Sequence, residues 1–376
     1  MVKNYLINMK LHLLGIPHTC TTIEYSHCAF TGKVYRFSPM MRSVGYEVIH
    51  YGNGSYNPGA SRHEEILTVD ELENFKKEIL REKYGDKTAF VGDGIINNVT
   101  NVLYKEFNKR LKERLISNLE SDDIICCPFG NGHEEAIKNF PNIKVETGIG
   151  YNESYQSFRI FETYAWYQYT SGKQGVNGNN YWFVIPNYFD VSEWDFNDNP
   201  KHELVYLGRL NEDKGMLIVV EIAKARPDLV VTICGQGNPS PYLVSPNIKY
   251  KEPIFGKDRS DYLGSAMITL MPTVYNEPFG GVTVESQLCG TPVLATTYGS
   301  FTETIEQGFN GYRCHTLGDF LAGIKNIENG MLNRRLIREK AIEKYGMYNI
   351  AKKYDEVFQR LSDLKFAGWY SHKKYF

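Results

Sequence analysis

Glu277-Pro278-Phe279-Gly280-Gly281-Val282-Thr283-Val284-Glu285 runs on into Ser286-Gln287-Leu288-Cys289-Gly290-Thr291-Pro292-Val293. Two carboxylates stand eight positions apart, a Pro-Phe-Gly-Gly turn lies between them, and the strand-like run 268–272 precedes them. The turn predicts a helix start, whose first peptide N–H groups have no partner within the helix and can receive an anion. Glu277 falls in the loop before that helix and Glu285 inside it. A phosphate at the helix start would therefore have a carboxylate on either side, each able to accept hydrogen bonds from sugar hydroxyls. A diphosphate with hydroxyl-rich groups at both ends is a nucleotide-sugar.

Around this segment, strands alternate with helices. Glu203-Leu204-Val205-Tyr206-Leu207-Gly208 opens the series, with further strands predicted at 229–234, 248–250, 268–271 and 292–295. Helices are predicted at 214–225, 259–264, 282–289 and 302–307, and such alternation implies a parallel sheet covered on both faces. The first half repeats the scheme without residue-level repetition. Leu11-His12-Leu13-Leu14 leads into Gly15-Ile16-Pro17-His18-Thr19, the apolar strand and Gly/Pro turn with which a Rossmann-like domain begins. A helix near 28–44, a strand at 47–52, a polar excursion over 53–88 with one amphipathic helix near 69–83, and buried strands at 124–128 and 143–146 follow. Trp182-Phe183-Val184-Ile185-Pro186-Asn187 closes this half, and the polar stretch 195–202 reads as a linker. The expectation is an α/β chain of two doubly wound domains, 1–184 and 185–354. A charged helical segment at 334–364 follows, with a helix from about 355 to 376 packing back on the first domain and a frayed tail at 371–376.

At 376 residues the chain suits two such domains, and 42% hydrophobic with 23% charged residues is the balance of a water-soluble globular protein. A net charge of −2 gives no overall attraction to nucleic acid or anionic membrane. Lys105, Lys109, Arg110, Lys112 and Arg114 cluster in one predicted helix, where a solvated helix face outweighs a phosphate-binding patch. Many of the 27 tyrosines fall between Tyr151 and Tyr188, where half-buried packing outweighs an acceptor groove. No apolar run is long enough to span a membrane, and residues 1–10 have no secretory apolar core. Seven cysteines without a C-x-x-C pair read as buried reduced thiols of a cytoplasmic protein.

Two more motifs carry chemistry. In Gly208-Arg209-Leu210-Asn211-Glu212-Asp213-Lys214-Gly215, Arg209 and Lys214 bracket a turn at the carboxyl edge of a strand. Ligands of open α/β sheets bind at that edge, and a guanidinium fork with an ammonium suits a diphosphate. Gly235-Gln236-Gly237 follows the strand 229–234 and permits close approach of a flat group such as a nucleobase.

The order IPNYFDVSEW, LVYLGRLNEDKG, VTICGQG and NEPFGGVTVESQLCGTPVLAT resembles retaining glycosyltransferases of family 4, which have the two-domain GT-B fold with two Rossmann-like domains facing each other across a cleft. The resemblance is close from about residue 185 to 311. It implies that Arg209 and Lys214 neutralise the donor diphosphate and stabilise it as it leaves, that Glu285 accepts from the ribose, and that Glu277 contacts the transferred sugar. Phe279, Gly280 and Gly281 would present backbone N–H groups, and Gly235 and Gly237 would line the nucleotide site. It implies a metal-independent enzyme with no cofactor beyond the nucleotide-diphosphate sugar, and no Asp-x-Asp motif is present to hold a metal. Such enzymes also place a His or Asp of the first domain at the catalytic site. His133, in Pro128-Phe129-Gly130-Asn131-Gly132-His133, is the first candidate and His18 the second, with Gly15 and His18 expected on the acceptor side or at the donor phosphate; a buried structural histidine is the competing account of each.

The function expected is transfer of a sugar to an acceptor hydroxyl on a polysaccharide or lipid-linked sugar, a protein or hydroxymethylated phage DNA. A sugar-nucleotide epimerase or hydrolase of the same fold, and a noncatalytic nucleotide-sugar binding subunit, are the alternatives. A nicotinamide dehydrogenase is disfavoured because the first strand lacks a Gly-x-Gly-x-x-Gly turn.

Overall fold

A computed structural model of the chain describes residues 9–25, 28–84 and 98–366. They divide into two compact units. One comprises the chain up to Phe161, Gly178–Ile185, and the chain from Ile350 onward; the other comprises Glu162–Asn177 and Pro186–Asn349.

The first stretch runs β1 (Leu11–Leu14), α1 (Ala29–Arg42), β2 (Val48–Gly52), β3 (Arg62–Glu65), α2 (Val69–Tyr84), α3 (Val102–Asn118), β4 (Ile124–Cys127), α4 (Glu134–Ile137), β5 (Ile143–Ile149), β6 (Phe158–Phe161), α5 (Tyr164–Gln174) and β7 (Trp182–Val184). The first unit's sheet has the order β3-β2-β1-β4-β5-β6-β7, with every described ladder parallel. β1, β2 and β4 are buried on both faces, which is why their sequences read as continuous apolar runs. Leu103, Phe107, Leu111 and Leu115 of α3 cover one face together with Leu14, Ile49 and Ile125. On the polar side of α3, Arg110 pairs with Glu71 at 2.9 Å and Glu106 at 2.8 Å, while Lys105, Lys109 and Arg114 are exposed.

The second stretch runs β8 (Glu203–Leu207), α6 (Met216–Ala225), β9 (Val230–Cys234), β10 (Ile248–Lys251), α7 (Gly256–Ser265), β11 (Ile268–Met271), α8 (Gly281–Leu288), β12 (Val293–Ala295), α9 (Phe301–Thr304), β13 (Gly311–Arg313), α10 (Leu317–Glu328), α11 (Arg334–Tyr345) and α12 (Met347–Phe366). Its sheet, β10-β9-β8-β11-β12-β13, is also parallel throughout the described ladders. The strand order reverses direction between β8 and β11, so the loops leaving those two strands flank a crevice at the carboxyl edge.

Several expectations need correction. Residues 162–177 pack with the second unit, not the first, because the start of α5 is hydrogen-bonded to the loops at Pro278 and Glu303. The stretch 195–202 is not a free linker: the Asp195 N–H donates to Ser260 Oγ at 2.8 Å, and the Arg334 guanidinium donates to the carbonyl oxygens of Asn197, Gly264 and Ala266. The helix expected at 302–307 is the single turn α9, since Ile305 turns extended and Gln307 bridges Gly311. From Ile350 on, α12 belongs to the first unit: Tyr354 and Phe358 pack edge-on against Phe37, and Tyr46 Oη donates to Asp355 Oδ1 at 2.9 Å. The end of that helix beyond residue 366 and the tail 371–376 lie outside the described residues, as do residues 1–8. All seven cysteines are free thiols, and no described helix is long and apolar enough to cross a membrane.

Candidate active site

The loops after β8 and β11 meet at the crevice. Gly215 takes a left-handed backbone (φ 78°) to open α6, and a Cβ there would lie 1.9 Å from the Pro272 carbonyl oxygen, so only glycine lets the loops close. The Val274 N–H donates to Asp213 O at 2.9 Å, and Tyr206 Oη donates to Arg209 O at 2.6 Å, fixing the first loop from both sides. Lys214 Nζ thereby reaches Glu277 Oε2 at 2.6 Å and also bonds Tyr275 Oη. Tyr275 Oη donates in turn to Glu277 Oε2 at 2.9 Å, and the ammonium stands 4.7 Å from the Tyr275 ring centroid. Burial and the Glu277 charge raise the Tyr275 phenol above its ordinary range, so it stays protonated and donates. Arg209 is exposed and forms no ion pair among the described residues, leaving a guanidinium available beside this triad.

The backbone of the Glu277 loop is gripped from two sides. The Ser300 N–H donates to Glu277 O at 2.9 Å, and Thr163 Oγ1 donates to Pro278 O at 2.8 Å. Thr163 also caps α5, its hydroxyl accepting from the Trp166 N–H. Glu303 accepts from the N–H groups of Tyr164 (2.9 Å) and Ala165 (2.8 Å), a carboxylate at a helix N-terminus as the dipole favours. The Phe279 ring is buried, stacked on Phe189 at 6.2 Å and edge-on to Tyr345 at 6.0 Å, so its side chain anchors the loop in the core. Gly280 (φ 70°) then opens α8 with no side-chain cap over its first N–H groups.

Glu285, one turn into α8, is ion-paired to Arg259 of α7, which donates from Nε at 2.8 Å and from Nη2, both to Oε2. On the neighbouring loop Gly235 (φ 149°) packs on the Gly208 carbonyl, where a Cβ would come within 1.7 Å, and the Leu210 N–H donates to Gln236 O at 2.8 Å. Gly235 and Gly237 thus form a floor against the Arg209 loop. The structure places Arg209, Lys214, Glu277, Phe279, Gly280, Gly281, Glu285, Gly235 and Gly237 in one unit, on the loops leaving β8, β9 and β11 and on α8.

The first-unit candidates are placed differently. His133 is fully buried; its Nε2 donates to Gly15 O at 2.8 Å, and burial pulls its pKa down to about 4. Its ring is enclosed and tethers the loop after β1 through that carbonyl. His18 is 6% exposed, hydrogen-bonded through Nδ1 to Tyr104 Oη at 2.8 Å, and also held near 4 by burial. Both imidazoles are neutral at pH 7 and too acidic in their protonated form for efficient proton transfer there. Among the described residues no group of three or more His, Cys, Asp or Glu is arranged to hold a metal ion.

Sequence reasoning missed Tyr275, Arg259, Thr163 and Glu303. Tyr275 stands two residues before Glu277 and carried a usable signal; the other three come from distant segments and carried none.

Comparison with known proteins gives this geometry a context. Residues 192–344 match the family model of the Glycosyl transferases group 1. A D-inositol 3-phosphate glycosyltransferase from Nocardiopsis dassonvillei is 32% identical over 142 residues, covering 32% of this chain and 33% of that protein. The chain thus spans about a third of the length of the curated relatives it matches. Among solved structures, sucrose-phosphate synthase from Thermosynechococcus elongatus superposes with a TM-score of 0.67 at 14% identity, covering 94% of this chain and 99% of that one. Anabaena Alr3699/HepE, solved in complex with UDP-glucose, gives 0.62 at 16% identity, covering 95% and 100%. The fold is GT-B, with two Rossmann-like units.

Proposed function

We propose that the chain, whose residues 192–344 match the family model of the Glycosyl transferases group 1, is a retaining glycosyltransferase that moves a sugar from a nucleotide-diphosphate sugar to an acceptor hydroxyl. The observation that carries this is the convergence of Lys214 and Glu277, from the loops after β8 and β11, at the point where the strand order reverses. A cation and a carboxylate side by side beside an uncapped helix start match the charge pattern of a sugar diphosphate.

The residues divide the work. Arg209, which forms no ion pair among the described residues, meets the diphosphate first, and Lys214 exchanges Glu277 for a phosphate oxygen as the donor seats. Glu277, freed of that cation, accepts from hydroxyls of the transferred sugar, while the α8 N–H groups receive the phosphate. Breaking the anomeric carbon–oxygen bond concentrates negative charge on the departing diphosphate, which Arg209 and Lys214 stabilise. The acceptor oxygen attacks from the same face, forms the new bond to the anomeric carbon, and passes its proton to the departing phosphate oxygen, which conserves the anomeric configuration. No metal is assigned a role in this scheme. The Anabaena neighbour's UDP-glucose makes uridine donors the first to screen, and the free thiols favour a reducing, cytoplasmic setting.

The test is a thermal-shift screen against UDP, GDP, ADP and their glucose and N-acetylglucosamine conjugates, since a ligand bound only to the native state raises the melting temperature by mass action. A clear shift with one nucleoside diphosphate is expected, followed by acceptor-dependent release of that diphosphate. Lys214→Ala should cut kcat at saturating donor by about tenfold or more, as loss of a charge-assisted contact made in the transition state does. An unchanged kcat would remove Lys214 from leaving-group stabilisation, and fast turnover without acceptor would point to hydrolysis or epimerisation instead.

A further inference from the structure

Glu285 is the carboxylate expected to receive ribose hydroxyls on the donor reading, and its surroundings bear on how it is aimed. Its side chain is 12% exposed and Arg259's is 20% exposed, so the pair is largely shielded from water. Arg259 projects from α7 and sends both Nε–H and Nη2–H to the same oxygen, Oε2. Oε1 accepts no hydrogen bond among the described residues. It lies 3.7 Å from where a Cβ of Gly281 would be, beside the first residue of α8 and therefore on the side of the uncapped N–H groups.

A guanidinium can bind a carboxylate fork to fork, one N–H to each oxygen, and that arrangement would consume both. Here the fork closes on one oxygen and leaves the other presented. A glutamate on a helix has several rotamers, and holding one in advance removes an ordering cost from ligand binding. We propose that Arg259 is a positioning residue that fixes the Glu285 rotamer so that Oε1 faces the ribose diol of the nucleotide, setting the discrimination for ribose over sugars lacking those hydroxyls. This rests on the donor reading given above. Arg259 itself is not asked to touch the nucleotide; its two N–H groups on Oε2 keep the Glu285 side chain pointed.

Ribose discrimination is the readout that a merely structural role would not move. UDP, GDP and ADP and their dideoxyribose counterparts are titrated by calorimetry into the unsubstituted chain, Arg259→Gln and Arg259→Lys. The unsubstituted chain should prefer the ribose form of its nucleotide. Arg259→Gln should lose about five- to tenfold in affinity for that form, the worth of one immobilised side chain, with the dideoxy form changing by less than about twofold. Retained dideoxy binding also shows that the variant is folded. Arg259→Lys, which keeps one charged donor, should recover part of the preference. Equal weakening of both forms, or full discrimination in Arg259→Gln, would overturn the positioning role. An unsubstituted chain that binds a nucleoside diphosphate without regard to its ribose hydroxyls would overturn it while leaving the donor site standing. Failure to bind any of the six nucleotides would sink the donor reading and this one with it.

Discussion

Tyr275 ties a cation and a carboxylate together with one hydroxyl, and that hydroxyl can be removed alone. Tyr275→Phe keeps the ring under Lys214 and the volume of the loop, so stability should change by about 1 kcal/mol or less. Turnover should fall more than donor affinity, because Glu277 loses the bond that orients it; an unchanged kcat with a raised KM would show that Tyr275 serves binding only. His18 and His133, two of the buried histidines, make a prediction about pH. Each has a folded pKa near 4 against about 6.5 in an unfolded chain, so the unfolded state takes up more protons between those values. Stability is therefore full above about pH 6.5 and declines as the pH falls toward 4, by about 2 kcal/mol per histidine at pH 5. Urea midpoints measured from pH 7 to 5 should drop accordingly, and His18→Gln should flatten the slope. At this scale Arg209, Lys214, Glu277 and Glu285 were legible because their motifs are local. His133 was legible as a loop position after the strand at 124–128, with a catalytic and a buried structural account both open, since a sequence shows a loop position and not the packing above it.

Among the elements, α5 was the one the sequence hid best. Tyr-Ala-Trp-Tyr-Gln-Tyr-Thr-Ser-Gly-Lys-Gln has no clean apolar stripe, and the side chains it buries include Trp166, Thr170 and Ser171 rather than leucines. Its signals were the N-cap Thr163 and Gly175 at the far end in the left-handed conformation. β3 was missed for a related reason: Arg-His-Glu-Glu is polar because it lies at a sheet edge, where backbone pairing and not apolar burial makes the strand. The strands of both sheet centres were legible since burial on two faces leaves unbroken apolar runs. Thr163→Val removes both the cap and the bond to Pro278 O, and should cost about 1–2 kcal/mol in chemical unfolding of the second unit. The donor-induced thermal shift should shrink as the Glu277 loop loosens, and Thr163→Ser, which keeps the hydroxyl, should restore most of it. A full-sized shift in Thr163→Val would mean that Ser300 alone holds the loop.

For the whole molecule, the α/β alternation announced two units, but not how the chain is shared between them. Phe358 of α12 is fully buried against Phe37, Tyr46 and Tyr354 of the first unit. Phe358→Ala should destabilise that unit by about 3–5 kcal/mol. Calorimetry should show its transition moving down while the nucleotide still stabilises the second unit's transition; loss of the nucleotide effect would show that the units unfold together. The interleaving also bears on how the protein is made. Tyr164 leaves the ribosome 139 residues ahead of Glu303, the carboxylate that receives its N–H. At about 5–20 residues per second, α5 emerges on the order of 10 s before its seat exists. Over that interval Trp166 and its neighbours have no finished unit to bury them, and the first sheet still lacks α12. A nascent chain of this kind is the one for which a holding chaperone matters most, and a gene cut at residue 185 to express the first unit alone would leave that exposure permanent.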